Sequence, residues 1–195
     1  TEFKDSELGR IPQSWEVQSI GALSLLITKG ATPTTTGDPY VQTGVTFYRS
    51  TNASEDGTLK TKETKHISDK ANTTLKRSML MLGDVAISIV GAKTGKTFFA
   101  ITEESQLPGN INQNIALIRP NPKLLSTNLL TYILSSPYFQ NQIDKELTTQ
   151  AQPCLSLKQV GDFSITVPSY DEQIEIIKAL DSVSNLILSK RLELK

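Results

Sequence analysis

Three polar stretches hold the side chains best suited to chemistry. The run TFYRSTN ends in Arg49, Ser50 and Asn52, and Lys60 and Lys62 follow shortly after. These are the hydrogen-bonding and cationic types that read base edges or hold phosphates, and they are equally ordinary loop residues. Lys93, Thr94 and Lys96 lie in GAKTGKT, which invites comparison with a nucleotide-binding loop. A P-loop needs four residues between its glycines and a helix directly after, whose N-terminus holds the anion. Here three residues separate Gly91 from Gly95, and the β-rich run TFFAIT follows. The pattern predicts strand, glycine turn, strand. The third stretch, TTQAQP, carries Gln150 and Gln152.

Catalytic constellations are harder to find. With one histidine, His66, and one cysteine, Cys154, neither a nucleophile–base pair nor a cysteine-based zinc site nor an internal disulfide can be built. No pair of carboxylates stands out, no G-x-G-x-x-G opens a helix, and Asn121-Pro122-Lys123 fails the Asn/Asp-Pro-Pro-aromatic methyltransferase pattern. The chain reads as a binder without metal or cofactor of its own.

The elements that must position these residues follow from patterning. Hydrophobic residues make up 37% and charged residues 21% of the 195, which fits a folded globular protein and not a disordered one. No apolar run is long enough to span a membrane and no leader pattern is visible, so a cytoplasmic protein is expected. Net charge is zero. Its distribution is uneven: residues 27–100 carry ten basic and six acidic groups, with Lys60, Lys62 and Lys65 close together and Lys76 beside Arg77. That is a weak electrostatic footprint for nucleic acid and also the look of a solvated face.

Trp15 beside alternating Val17 and Ile20 predicts a core anchor. Val85 to Val90 reads as a buried strand, and Gly109 to Pro120 as a glycine turn into one alternating strand. Residues 126–134 and 138–147 read as helices broken at Ser136-Pro137. Phe163, Ile165 and Val167 alternate as a strand that Pro168 ends. Ser169 stands three residues before Glu172, the spacing of a capping box, and so starts a helix. Ile176, Leu180, Val183, Ile187 and Leu194 then repeat with the 4-3 spacing of a coiled-coil seam, interrupted at Lys190.

The run PSYDEQIEII, from Pro168 to Ile177, resembles the junction between target recognition domain and conserved-region helix in specificity subunits of type I restriction-modification enzymes. That family's junction has the form P-P-x-x-E-Q-x-x-I; Ser169 replaces the second proline here. Gly9, Ile11, Pro12 and Trp15 are similar to its opening G-x-I-P-x-x-W segment, so the resemblance spans nearly the whole chain. It implies an α+β fold: a mostly β target recognition domain with a few helices over 1–168, then a long coiled-coil-forming helix over 169–195 that is cut short. It implies a non-catalytic reader of one half of a bipartite target in double-stranded DNA. Lys93, Thr94 and Lys96 would lie on an exposed hairpin turn able to meet DNA, with Gln150 and Gln152 near it. Asn112 and Gln113 match an N-Q pair of the family and are expected to serve structure. The implied partners are modification (methyltransferase) subunits, which would carry S-adenosylmethionine, restriction subunits through them, and a second conserved-region helix. The alternative is a protein-interaction module that docks a partner helix without touching DNA.

Overall fold

The computed structural model describes residues 2–147 and 152–193. Strands β1 (Phe3–Ser6) and β2 (Gly9–Pro12) form a hairpin that delivers the chain to Trp15. Strand β3 (Glu16–Ser19) leads into β4 (Ser24–Lys29), and after a long Thr- and Pro-rich loop come β5 (Val45–Tyr48) and β6 (Lys65–Ile67). Ser68 caps the short helix α1 (Asp69–Thr74), its hydroxyl accepting from the Ala71 N–H at 3.1 Å. Next come β7 (Val85–Ser88), β8 (Phe98–Ala100), β9 (Gly109–Ile111) and β10 (Ile115–Pro120). Helices α2 (Thr127–Ser135) and α3 (Pro137–Leu147) break where expected, because Pro137 cannot continue α2 and Ser136 turns the chain. Helix α4 (Leu157–Asp162), strand β11 (Ser164–Val167) and helix α5 (Tyr170–Glu193) complete the described chain.

The predicted hairpin across the glycine turn is present: β7 and β8 pair antiparallel. They belong to a four-stranded antiparallel sheet ordered β4-β10-β7-β8. Strand β5 is the centre of a second sheet, antiparallel to β6 and parallel to β9, and β11 pairs antiparallel with β3. The stretch expected as a single strand, Gly109 to Pro120, is therefore two. Its first part joins β5, and after the turn through Asn112 and Gln113 its second part joins the larger sheet. Alternation fails as a guide there because β10 is covered on both sides. Ala116 and Ile118 point into a core with α2, α3, α4 and β11, and Ile115 and Leu117 into a core with Tyr48, Ala53 and Ile111. Strands buried on two faces lose the in–out pattern.

Helix α5 leaves this body at a tightly made junction. The capping box forms as expected: the Ser169 hydroxyl and N–H both donate to the Glu172 carboxylate, at 2.8 and 3.2 Å, and Ser169 Oγ accepts from the Glu172 N–H at 3.4 Å. The indole N–H of Trp15 reaches the same carboxylate at 3.4 Å, so the two ends of the sequence pattern meet in space. Gln173 is fully buried. Its Oε1 accepts from the Ser126 N–H at 2.9 Å while its Nε2 donates to the carbonyls of Leu124 and Pro168 at 2.8 and 3.2 Å. Ile176 and Ile177 then pack on the larger core.

The 4-3 repeat is therefore divided. Ile176 belongs to the body, Leu180 is half-buried, and Val183 and Ile187 stand 54% and 49% exposed with Leu186 at 57%. Leu194 lies outside the described residues. None of the described helices is long and apolar enough to cross a membrane.

Candidate functional site

An open cleft of about 700 Å³ lies between the loop that follows β5 and the β7–β8 turn. One wall is Ser50, Thr51, Ala53, Ser54, Glu55, Asp56 and Lys60; the other is Ser88, Val90, Gly91, Ala92, Lys93 and Thr97. The walls meet at a bridge between Ser54 and Phe98, where the Phe98 N–H donates to the Ser54 carbonyl at 3.0 Å. Two polar stretches that the sequence keeps apart thus become one surface.

Local hydrogen bonding makes each rim rigid. On the first, Asp56 accepts from the Ser54 hydroxyl at 2.6 Å and the Thr58 N–H at 3.0 Å, a side-chain-closed turn. Those bonds hold the Asp56 carboxyl below its ordinary value, the Ser54 hydroxyl contributing most. Gly57, at φ +80°, completes the turn, and a Cβ there would meet the Phe98 ring at 2.7 Å. Asn52 is buried and anchors the loop: its Oδ1 accepts from the Arg49 N–H at 2.9 Å and its Nδ2 donates to the Lys60 carbonyl at 2.8 Å.

On the second rim the Thr94 side chain is buried, its hydroxyl lying 2.7 Å from the Gly91 carbonyl and 3.0 Å from that of Pro153. The Gly91 N–H also reaches the Pro153 carbonyl, at 3.2 Å, so the segment 152–154 is laced to the turn. Gly95 sits at φ +71°, and a Cβ would strike the Ile143 side chain at 2.5 Å; only glycine lets α3 approach this closely.

Across the cleft, Lys93 Nζ donates to Glu55 Oε1 at 2.6 Å, with both side chains 65% exposed. The hydrogen bond and the charge of Lys93 hold the Glu55 carboxyl below its ordinary value. Lys96 turns the other way, to Asp144 on α3 at 2.7 Å.

The predicted residues accordingly separate. Ser50, Lys60 and Lys93 come together in the cleft, and exposed Gln152 adjoins the turn through Pro153. Asn52 and Thr94 are buried and hydrogen-bonded to the backbone, so Thr94 is not an exposed group of the turn as expected. Arg49 turns back to donate to the Glu63 carbonyl at 2.9 Å, with its Nε buried and unpartnered. Lys62 is exposed but does not line the cleft, and Gln150 lies outside the described residues.

Sequence reasoning singled out neither Glu55 and Asp56 nor Ser88 and Thr97, whose hydroxyls bond at 2.8 Å beneath the cleft. It also missed a buried network in which Asn110 joins Asn72 and Ser78, both at 2.7 Å. The N-Q pair serves structure in part: Asn112 accepts from the Asn114 N–H at 3.3 Å, and Gln113 accepts from Thr32. Among the described residues no group of three His, Cys, Asp or Glu side chains could hold a metal ion.

Comparison with known proteins adds a family to this geometry. Residues 12–195 match the model of the type I restriction modification DNA specificity domain. The chain is 29% identical over 128 residues to the type I restriction enzyme EcoBI specificity subunit of Escherichia coli, covering 66% of this chain and 26% of that protein. It is 24% identical to the type I restriction enzyme MjaVIII specificity subunit of Methanocaldococcus jannaschii, covering 98% of this chain and 44% of that one. The fold is similar to the crystal structure of the HsdS subunit from Thermoanaerobacter tengcongensis, with a TM-score of 0.71 at 15% identity over 93% of this chain and 44% of the other. The chain spans less than half the length of the curated relatives it matches.

Proposed function

The chain belongs to the family of type I restriction modification DNA specificity domains, and from this premise we propose that it reads one half of a bipartite target in double-stranded DNA. The observation that carries this is the cleft, where Ser50, Lys60 and Lys93 converge from two separate stretches with Gln152 alongside. Base readout needs such groups on rigid loops, and both rims here are closed by their own hydrogen bonds. Residues 1–168 form the reading domain. Residues 169–195 are the conserved-region segment, whose helix α5 pairs as a coiled coil with a second such helix and fixes the spacing between half-sites. The exposed apolar far half of α5, with Val183, Leu186 and Ile187, supports that pairing.

The chemistry resides elsewhere. Modification subunits bind around the helix and supply S-adenosylmethionine chemistry, restriction subunits join through them, and this chain contributes recognition without catalysis in the cytoplasm.

The test is duplex DNA binding by fluorescence anisotropy between about 50 and 200 mM salt. Replacing Lys93 and Lys96 together by Ala is expected to weaken binding about tenfold and to make the salt slope shallower by about 1 to 2. An unchanged slope would remove the turn from the interface.

A further inference from the structure

Glu55 is an odd residue for a DNA-facing cleft. A carboxylate beside phosphates is repelled by them, and the low-dielectric walls of a cleft strengthen that repulsion. Yet Glu55 stands at the mouth on a turn locked by Asp56 and Gly57, and its Oε1 contacts Lys93 Nζ at 2.6 Å across the gap. Asp56 is already occupied by Ser54 and Thr58, so Glu55 is the carboxylate left to face a ligand. An acceptor and a donor are thereby presented side by side, each on its own rim.

We propose that Glu55 and Lys93 together read one C·G base pair from the major groove, Glu55 accepting from cytosine N4 and Lys93 donating to guanine O6 and N7. This rests on the DNA-reading function proposed above and names the base pair that this part of the cleft takes. The spacing agrees: cytosine N4 and guanine O6 are themselves joined by a hydrogen bond, about 2.9 Å between heavy atoms. The 2.6 Å pair of Glu55 and Lys93 can therefore lie against that edge with its own contact kept.

Polarity chooses between base pairs. The edge of a C·G pair is segregated, with the two acceptors of guanine on one side and the cytosine donor on the other. An A·T edge alternates acceptor, donor, acceptor, and ends in the thymine methyl. A two-charge group with one positive and one negative end fits the segregated edge. On the alternating edge the carboxylate can take only the single central donor, adenine N6, and the ammonium then meets one acceptor, adenine N7 or thymine O4, where guanine offers it two. The hydrogen bond and charge of Lys93 keep Glu55 ionised, as an acceptor must be.

Selection from a randomised duplex pool by the 195-residue chain, for wild type, Glu55→Ala and Lys93→Ala, tests this directly. In the wild-type motif one position is expected to be held as C·G with at least about tenfold discrimination. Glu55→Ala should drop that position below about threefold, leave the rest of the motif standing, and raise affinity for unselected DNA as the repulsion is lifted. Lys93→Ala should relax the same position. The pair is exposed, so neither variant should change the melting temperature appreciably.

A Glu55→Ala motif identical to wild type, with only non-specific affinity raised, would show that Glu55 merely neutralises Lys93 and would overturn the proposal. So would relaxation confined to an A·T position. If the wild-type chain enriches nothing and binds no duplex, the DNA-reading function itself falls, and this subsite with it.

Discussion

Polar side chains gather at two places in this molecule, the junction where α5 leaves the body and the cleft under the β7–β8 turn. At the junction Gln173 is fully buried and its amide meets three backbone groups, while Glu172 ties the cap of α5 to Trp15. At the cleft the central contact, Glu55 with Lys93, is a lone ion pair between two exposed side chains. Burial sets the difference. A buried polar group must be satisfied within the protein, and removing its partner strands others. An exposed ion pair exchanges readily with water and contributes little to stability. The junction is thus committed to architecture, whereas the cleft holds side chains that a ligand can recruit at little cost to the fold.

The sharpest way to break this contrast is Gln173→Ala. It leaves the Ser126 N–H and the carbonyls of Leu124 and Pro168 without their partner in a buried place. A loss of about 3 kcal/mol in urea unfolding is expected, with DNA affinity per folded molecule unchanged. A loss below about 1 kcal/mol would mean that water replaces the amide and that the junction is no firmer than the cleft.

The contrast also runs along α5 itself. Ile176 packs on the larger core and Ile187 stands 49% exposed, although the two belong to one 4-3 repeat. Ile176→Asp is expected to lower stability by about 2 kcal/mol, whereas Ile187→Asp should lie within about 0.5 kcal/mol of wild type. Sedimentation at several concentrations separates their second effects. Wild type is expected to self-associate through the far half of the helix, and Ile187→Asp to stay monomeric. If wild type is monomeric as well, the exposed far half of α5 is not a surface through which the chain pairs with itself.

These regions were unequally legible in the sequence. The cap of α5 could be read because Ser169 and Glu172 are three residues apart and their bonds are local. The β7–β8 hairpin and the break at Ser136-Pro137 were visible for the same reason. Helix α4 carried an equally local sign that went unread, the capping box of Ser156 with Gln159, because a six-residue helix has too few turns to show periodicity. The split of Gly109 to Pro120 between two sheets was hidden by burial on both faces. The cleft had no local sign at all. It exists because Ser54 bridges to Phe98, and that pairing brings Glu55 to Lys93. Asn52 and Thr94 show the converse. Residue types that could read DNA are here the pins that hold the two loops of the cleft.

The smallest expected effect compares the two carboxylates through pH. Glu172 is held below its ordinary value of 4.5 by the Ser169 hydroxyl first, then by the Ser169 N–H and the Trp15 indole. Glu55 is held below the same value by Lys93. A carboxyl depressed on folding contributes stability that is complete above its unfolded value, and loses it as pH falls through the folded one. Both therefore act in the acid limb, below about pH 4.5. Salt tells them apart, because neutral donors hold Glu172 and a charge holds Glu55. Denaturant midpoints measured from pH 6 to 3 in low and high salt should show Glu172→Gln flattening the acid limb in both, and Glu55→Gln doing so only in low salt. A Glu55 contribution that survives high salt would mean the cleft pair is fixed as firmly as the junction, and the rim would then be scaffold and not reader.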